Sequence, residues 1–478
     1  MAALALSSGP QTLSALSLEN YLTHLQRTHP VFRRSELSVE VAERRIEELL
    51  PDYSQWLFEI EPSYTYAGET QSEELGADGS HTGALAARVI RDVATGGSLS
   101  FAAESSYTSL LNQQLPGPPP TTEDTEEFRS SLGIEYSQPL VRNLGDRFRR
   151  LQGDLARYDA DAARLQAAEQ QEQFLLQAAR LFLRWAEAVA RKGAWEEQLD
   201  IVQRRFELVQ EQRQANLVDP ADLLQARQAV EQTRAALTAV EGEVEALRRR
   251  IEVTLEPGGQ GPAVDTPEFD LPALPAAPPF ETGDGGPDSA IGDTRPLRQV
   301  EVQLAGAREE RQRQGEQKLP SVALSGAARI AGANETISGV TDSPSPEFVI
   351  AGRIAFGASY PGVEDTLNRV DARIAELEAQ REQTYLDLAG RAAETRRRLA
   401  SLEITLELYQ ELVATARETA SAEEERYNQG RVPLSRLLDA QAAIQEARRG
   451  LLQTALQYHT AWIEYRALTD DLLPGPAL

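Results

Sequence analysis

Residues 363–427 read VEDTLNRVDARIAELEAQREQTYLDLAGRAAETRRRLASLEITLELYQELVATARETASAEEERY. Along this stretch Val363, Leu367, Val370, Ile374, Leu377, Leu388, Ala392, Leu399, Leu402, Leu406, Tyr409, Val413, Ala416 and Ala420 fall on one register of threes and fours. Arg381, Thr384 and Thr395 are its polar interruptions, Gly390 is its one glycine, and it holds no proline. Apolar residues at that average spacing form a stripe along an α-helix, which is buried by a neighbouring helix in a left-handed coiled coil. A helix from Val363 to Tyr427 is roughly 95 Å long at 1.5 Å per residue, beyond what a compact globular domain accommodates.

The run closes at Asn428-Gln429-Gly430, with Gly430 suited to the left-handed residue that follows a helix end. A second seam begins just after Pro433, with Leu437, Ala440, Ile444, Ala447, Leu451, Thr454, Tyr458, Ala461, Tyr465 and Leu468. So short a connection makes the two helices an antiparallel hairpin. In the first half Leu151, Leu155, Tyr158, Ala162 and Leu165 open a helical stretch reaching Asn216. Its return seam is Leu223, Ala226, Val230, Thr233, Leu237, Val240, Val244, Leu247 and Ile251. Adding 214 to these positions gives the second return helix, with Asn216 on Gly430, Val218 on Val432 and Ala226 on Ala440. An ungapped correspondence of this length marks an internal duplication.

Segments of period two precede each hairpin. In Trp56–Tyr66 the even positions are Trp56, Phe58, Ile60, Pro62, Tyr64 and Tyr66, the pattern of a strand with one greasy face. Leu132, Ile134 and Tyr136 alternate likewise, as do Val322, Leu324, Ala328 and Ile330, and then Ile350, Ile354, Phe356, Ala358 and Tyr360. A further alternation, Leu99, Phe101, Ala103 and Tyr107, has no obvious counterpart in the second half. The expected plan is a first repeat over 1–255, with a short helix 17–50, strands about 53–66 and 130–140, and a hairpin 145–255. A Pro/Gly-rich connector, 256–296, follows. The second repeat, 297–470, carries a short helix 297–318, strands about 321–331 and 347–360, and a hairpin 363–470, before a tail 471–478. Stretches 67–97 and 331–347 read as polar loops between strands. The fold class is mixed, mostly α, with strands that contribute to a β-barrel.

Composition narrows the function. The 74 acidic and 48 basic side chains give a net charge of −26, which a phosphate backbone would repel, so no nucleic-acid partner is expected. Cysteine is absent, which removes disulfides, thiolate metal sites and a cysteine nucleophile. His24, His29, His81 and His459 are scattered, and no metal site or cofactor is expected. No phosphate loop, dinucleotide fingerprint or nucleophile elbow is present, so no catalytic residue is assigned. The opening MAALALSSGPQTLSA has no positive n-region and too short an apolar run for a signal peptide. Its reading is either a removed presequence or a chain that stays in the cytoplasm.

Four to six short strands cannot close a barrel alone, since roughly eight are needed. Left open they expose sheet edges and an aromatic face. Several copies sharing one barrel solve this, and apolar-out, polar-in strands match an outer-membrane barrel. Here the sequence resembles the TolC-like outer-membrane efflux protein family over roughly 17–470. The resemblance is carried by the duplication, by strands entered through Leu50-Pro51 and Leu319-Pro320, and by ANLVDPADLLQAR (215–227) and YNQGRVPLSRLLDAQ (427–441). It implies a homotrimer, a twelve-stranded barrel in outer-membrane lipid and a helical tunnel in the periplasm. A periplasmic adaptor (membrane fusion) protein and an inner-membrane transporter are its implied partners. It further implies a periplasmic gate at Asp439 and Tyr427, with Asp222 on another tip acid. Arg436 stands where the family prototype has a second aspartate, so an Arg436–Asp439 pair could replace a double acidic ring. Asn216, Leu217 and Val218, and Gly430, Arg431 and Val432, fall on the adaptor-docking turns, Asn216 departing from the usual glycine. Asp219-Pro220-Ala221-Asp222 also reads simply as a helix cap with an acid in the first turn. A soluble, elongated coiled-coil scaffold is the alternative.

Overall fold

The computed structural model describes residues 16–70, 77–115, 121–215, 218–256, 266–271, 273, 275, 291–336, 344–356 and 361–472. The opening segment, most of the connector, Ala358, Tyr360 and the end of the tail lie outside them. The strands are β1 (Leu16–Ser17), β2 (Leu57–Thr70), β3 (Ala77–Asp92), β4 (Ser98–Leu115), β5 (Thr121–Pro139), β6 (Pro267–Glu268), β7 (Ser321–Asn334) and β8 (Ser345–Ala355). The helices are α1 (Leu18–Thr28), α2 (Pro30–Leu49), α3 (Arg147–Gln214), α4 (Pro220–Leu255), α5 (Arg295–Gly315), α6 (Pro361–Asn428) and α7 (Leu434–Leu468). The chain divides into two compact units. One holds 1–40, 162–301 and 379–478, the other 41–161 and 302–378, so each takes parts of both repeats.

The second of these units contains a six-stranded antiparallel sheet in the order β2-β3-β4-β5-β7-β8. Its side chains alternate between two faces, with Leu57, Ile90 and Val349 as apolar exceptions on one and Arg91 and Ser105 as polar exceptions on the other. One hydrogen-bonded row runs Phe58, Val89, Phe101, Ile134, Ala328, Phe348, and the next runs Glu59, Arg88, Ala102, Gly133, Arg329, Glu347. The first row belongs to an apolar face, the second to a polar one. Both faces lie open: Phe58 is 71% exposed, Phe348 80% and Ile350 84%.

Three expectations change here. The stretch 67–97 is not a loop, because it contains β3. Small residues hide that strand in the sequence: Ala84, Ala86, Ala87, Gly79 and Gly83 fall on both faces, and only Leu85 and Val89 mark the apolar one. The alternation Leu99–Tyr107 is part of β4, so among the described residues six strands share this sheet where the resemblance implies four per copy. The helix expected over 17–50 is two helices. Pro30 biases the preceding residue away from helical backbone, and His29 is extended at ψ 135°.

The duplication is visible in the element lengths. Helices α3 and α6 each span 68 residues and begin 214 apart. Strands β2 and β7 each span 14 residues but begin 264 apart. The 50-residue difference is an insertion in the first repeat, and β3 and β4 lie in it.

In the other unit the heptad positions are the buried ones. Leu399, Leu402, Leu406, Ala455, Tyr458 and Ala461 form one cluster with Ala186 and Leu271. Tyr21, Leu25, Phe182, Trp185, Ile251 and Leu255 form another, joined by Leu16 of β1. The described part of the connector is fastened to this bundle: β6 pairs with β1, His459 Nε2–H donates to the Leu271 carbonyl at 3.0 Å, and Tyr458 Oη donates to that of Pro275 at 2.8 Å.

At Gly450 on α7 the ring of Tyr409 on α6 occupies the space a side chain would take. A Cβ there would sit 2.6 Å from Tyr409 Cζ. Gly450→Ala is therefore expected to lower stability by about 1–3 kcal/mol through overpacking, against the roughly 1 kcal/mol that helix propensity alone would add. Thermal unfolding checks this; a raised Tm would show that Tyr409 moves aside freely.

Candidate functional site at the hairpin tips

Each tip is built by local capping. At the first, α3 ends at Gln214 and α4 restarts at Pro220. Asp219 caps α4, its carboxylate accepting from Ala221 N–H at 2.9 Å, and Asp222 sits half-buried in the first turn. Arg213 donates to the Val218 carbonyl at 3.2 Å. Asn216 and Leu217 lie outside the described residues. At the second tip Gly430 takes φ +69°. Its N–H donates to Tyr427 O at 2.8 Å and that of Arg431 to Arg426 O at 2.9 Å, which satisfies the last carbonyls of α6. Arg431 and Gly430 are exposed, and Val432 is half-buried.

The two tips pack on each other. Val209, Ala226, Leu434 and Leu437 are buried together, with Phe206, Val218, Leu223, Tyr427 and Leu438 around them. Arg205 on α3 is 8% exposed, forms an ion pair with Glu424 on α6, and lays its guanidinium over the Tyr427 ring at 5.4 Å. The Tyr427 hydroxyl is buried without a hydrogen-bond partner among the described residues. Burial raises its pKa above the ordinary tyrosine value, the Asp222 charge adds to that, and Arg205 opposes it.

Tyr427, Asp222 and Val218 are thus brought to one place, whereas Asp439 and Arg436 stand exposed on α7. Among the described residues no ion pair joins Arg436 to Asp439. Asp439 lies at a groove of about 450 Å³ lined by Trp195, Gln198, Gln225, Gln232 and Gln441. Sequence reasoning missed Arg205 and Glu424. The available signal was asymmetry: Arg205 falls on Thr419 and Tyr427 on Arg213 under the 214-residue offset, so the duplication does not repeat this contact between α3 and α6.

No protein-family model matches the chain, and no curated protein matches it in sequence. Solved structures do match. The transmembrane channel CusC shares 16% identity at a TM-score of 0.63, with 98% of this chain and 95% of that one covered. The outer membrane protein VceC from Vibrio cholerae shares 14% at 0.61, with 95% of each chain covered. The outer-membrane channel OprN shares 18% at 0.61, with 95% of this chain and 89% of that one covered. Such coverage at such low identity is a likeness of fold, and the fold of this chain is that of the TolC-like outer-membrane efflux channels.

Proposed function

We propose that the chain is the outer-membrane channel, or exit duct, of a tripartite efflux or type I secretion system. Three copies form a passive conduit, opened at its periplasmic tips by a periplasmic adaptor and an inner-membrane transporter. One observation carries this reading: a six-stranded sheet with one continuous apolar face, uncovered, in a chain with the fold of outer-membrane channels. In water such a face is an aggregation hazard, while against lipid it is what a barrel presents. The same face opposes the soluble scaffold. Among the described residues no helix is long and apolar enough to cross a membrane.

A second uncovered stripe supports sideways packing of copies. Ile404, Leu408 and Leu412, at i, i+4 and i+8 on α6, are 61%, 61% and 49% exposed. In this reading Asp439 is the main acid of the gate, Arg436 tempers its preference for cations, and Tyr427 and Asp222 belong to the closed arrangement. Asn216, Leu217, Val218, Gly430, Arg431 and Val432 form the turns on which the adaptor docks. In this reading the chain is a passive conduit with no catalytic step of its own.

Extraction only with detergent, heat-modifiable migration and channel activity in a planar bilayer are the expected results. A stable water-soluble single copy would overturn the proposal. In the bilayer Asp439→Ala is expected to raise single-channel conductance or weaken cation selectivity in a salt-dependent way. An unchanged variant would remove Asp439 from the gate.

A further inference from the structure

The inserted strands β3 and β4 keep the phase of the two faces. Leu85 (52% exposed) and Phe101 (40% exposed) share the apolar face of Phe58 and Ile60, while Arg88 and Glu104 share the polar face of Glu59 and Glu61. A flap folded over the sheet would have no reason to keep that phase. At the outer edges, β2 and β8 each have one side without a strand partner among the described residues. Six is an even number, so β8 runs antiparallel to β2, and joining the β8 edge of one copy to the β2 edge of the next keeps the alternation of an antiparallel sheet.

The slant of the ladder sets the register of that join. The row through Leu57 passes Ile90, Ser100, Glu135 and Ala327 and reaches β8 at Val349, six residues before the strand ends at Ala355. Continuing the slant brings Leu57 of the next copy beside Ala355. That places Glu59 opposite Arg353 on the polar face. Within the chain Glu59, Glu61 and Arg353 are exposed and form no ion pair among the described residues. The two edges therefore offer opposite, unspent charges at matching height.

We propose that β3 and β4 are barrel staves, and that β8 of each copy pairs with β2 of the next, so that three copies close an eighteen-stranded barrel. This rests on the trimeric channel reading above. A six-residue offset per copy over six strands corresponds to a tilt of about 35°, inside the range of outer-membrane barrels. Strands about 4.8 Å apart at that tilt give a diameter of about 34 Å, against about 22 Å for twelve. Barrels of this size hold an aqueous channel. The bore is lined by mixed charge, Glu59, Glu61, Arg88, Glu104, Arg329 and Glu347 among it, and suits bulky, hydrated polar cargo.

The native chain has no cysteine, which makes a cross-linking test clean. The double variant Glu59→Cys/Arg353→Cys, oxidised in membranes, is expected to lose its monomer band and run as a covalent trimer, while either single variant stays monomeric on the gel. A bimane label on Leu85→Cys in reconstituted vesicles is expected to be quenched by brominated lipid and not by iodide. A trimeric channel that fails to cross-link, or whose Leu85→Cys label is quenched by iodide alone, overturns the eighteen-strand barrel and leaves the channel reading standing. A covalent dimer overturns it as well. A water-soluble single copy overturns both.

Discussion

Replacing Arg295 with methionine is expected to cost about 3–5 kcal/mol of stability at pH 8, the usual consequence of stranding a buried charge, and far less at pH 5. The Arg295 side chain is 12% exposed and forms an ion pair with Glu172, which is 2% exposed, and another with Asp470 at 3.3 Å. Its backbone N–H donates to Asp470 at 2.6 Å, and Leu472 N–H donates to Glu172 at 3.2 Å. Glu169 brings a third carboxylate, all three lying within 4.8 Å of one another. Burial pushes the Glu172 carboxyl from its ordinary 4.5 up to about 7, although Arg295 pulls the other way. Between those two values the folded chain holds a proton that the unfolded chain has released. The stability from this group is therefore complete below pH 4.5 and is lost as pH rises through about 7. Without the arginine the buried Glu172 carboxylate loses the cation that opposes its desolvation, so the penalty grows with pH. Thermal unfolding at both pH values checks it, with Glu172→Gln expected to flatten the dependence. Equal losses at both would mean that Arg295 acts through packing alone.

The helical half of the fold was legible because its physics is local. A heptad stripe such as Leu399, Leu402, Leu406 announces both its helix and its buried side, and those three residues are buried. The 214-residue offset exposed the duplication because the two hairpins solve the same packing problem. Strand β3 was illegible for the opposite reason. In an antiparallel ladder the partner strand decides pairing, and Ala84, Ala86 and Ala87 advertise neither face. The break at His29 was illegible because a proline tolerated in the first turn of one helix leaves no sign that another ends just before it.

At the tips, Gly430 could be read because a left-handed residue has few candidates, and it stands at φ +69°. Arg205 could not be read. It lies more than two hundred residues from Glu424 and Tyr427 in sequence, and an arginine on a helix is usually a solvated one. Only the packing of α3 beside α6 removes its water and gives it a partner.

That burial makes Arg205 the side chain whose loss should most change the tips. Arg205→Ala removes the ion pair to Glu424 and the cation stacked on Tyr427, leaving a tyrosine whose hydroxyl has no hydrogen-bond partner among the described residues and which still feels the Asp222 carboxylate. A desolvated cation–π contact alone is worth up to about 2 kcal/mol. If the packed tips are the closed state of the proposed channel, a loss of about 2 kcal/mol multiplies the open population roughly thirty-fold. Resting single-channel activity in a planar bilayer is the readout. Arg205→Lys keeps the charge for Glu424 but not the flat guanidinium that covers the ring, so it is expected to fall between the native chain and Arg205→Ala. A conductance unchanged in both variants, with Tm lowered, would make Arg205 a packing residue of the bundle and place the gate elsewhere on the tips.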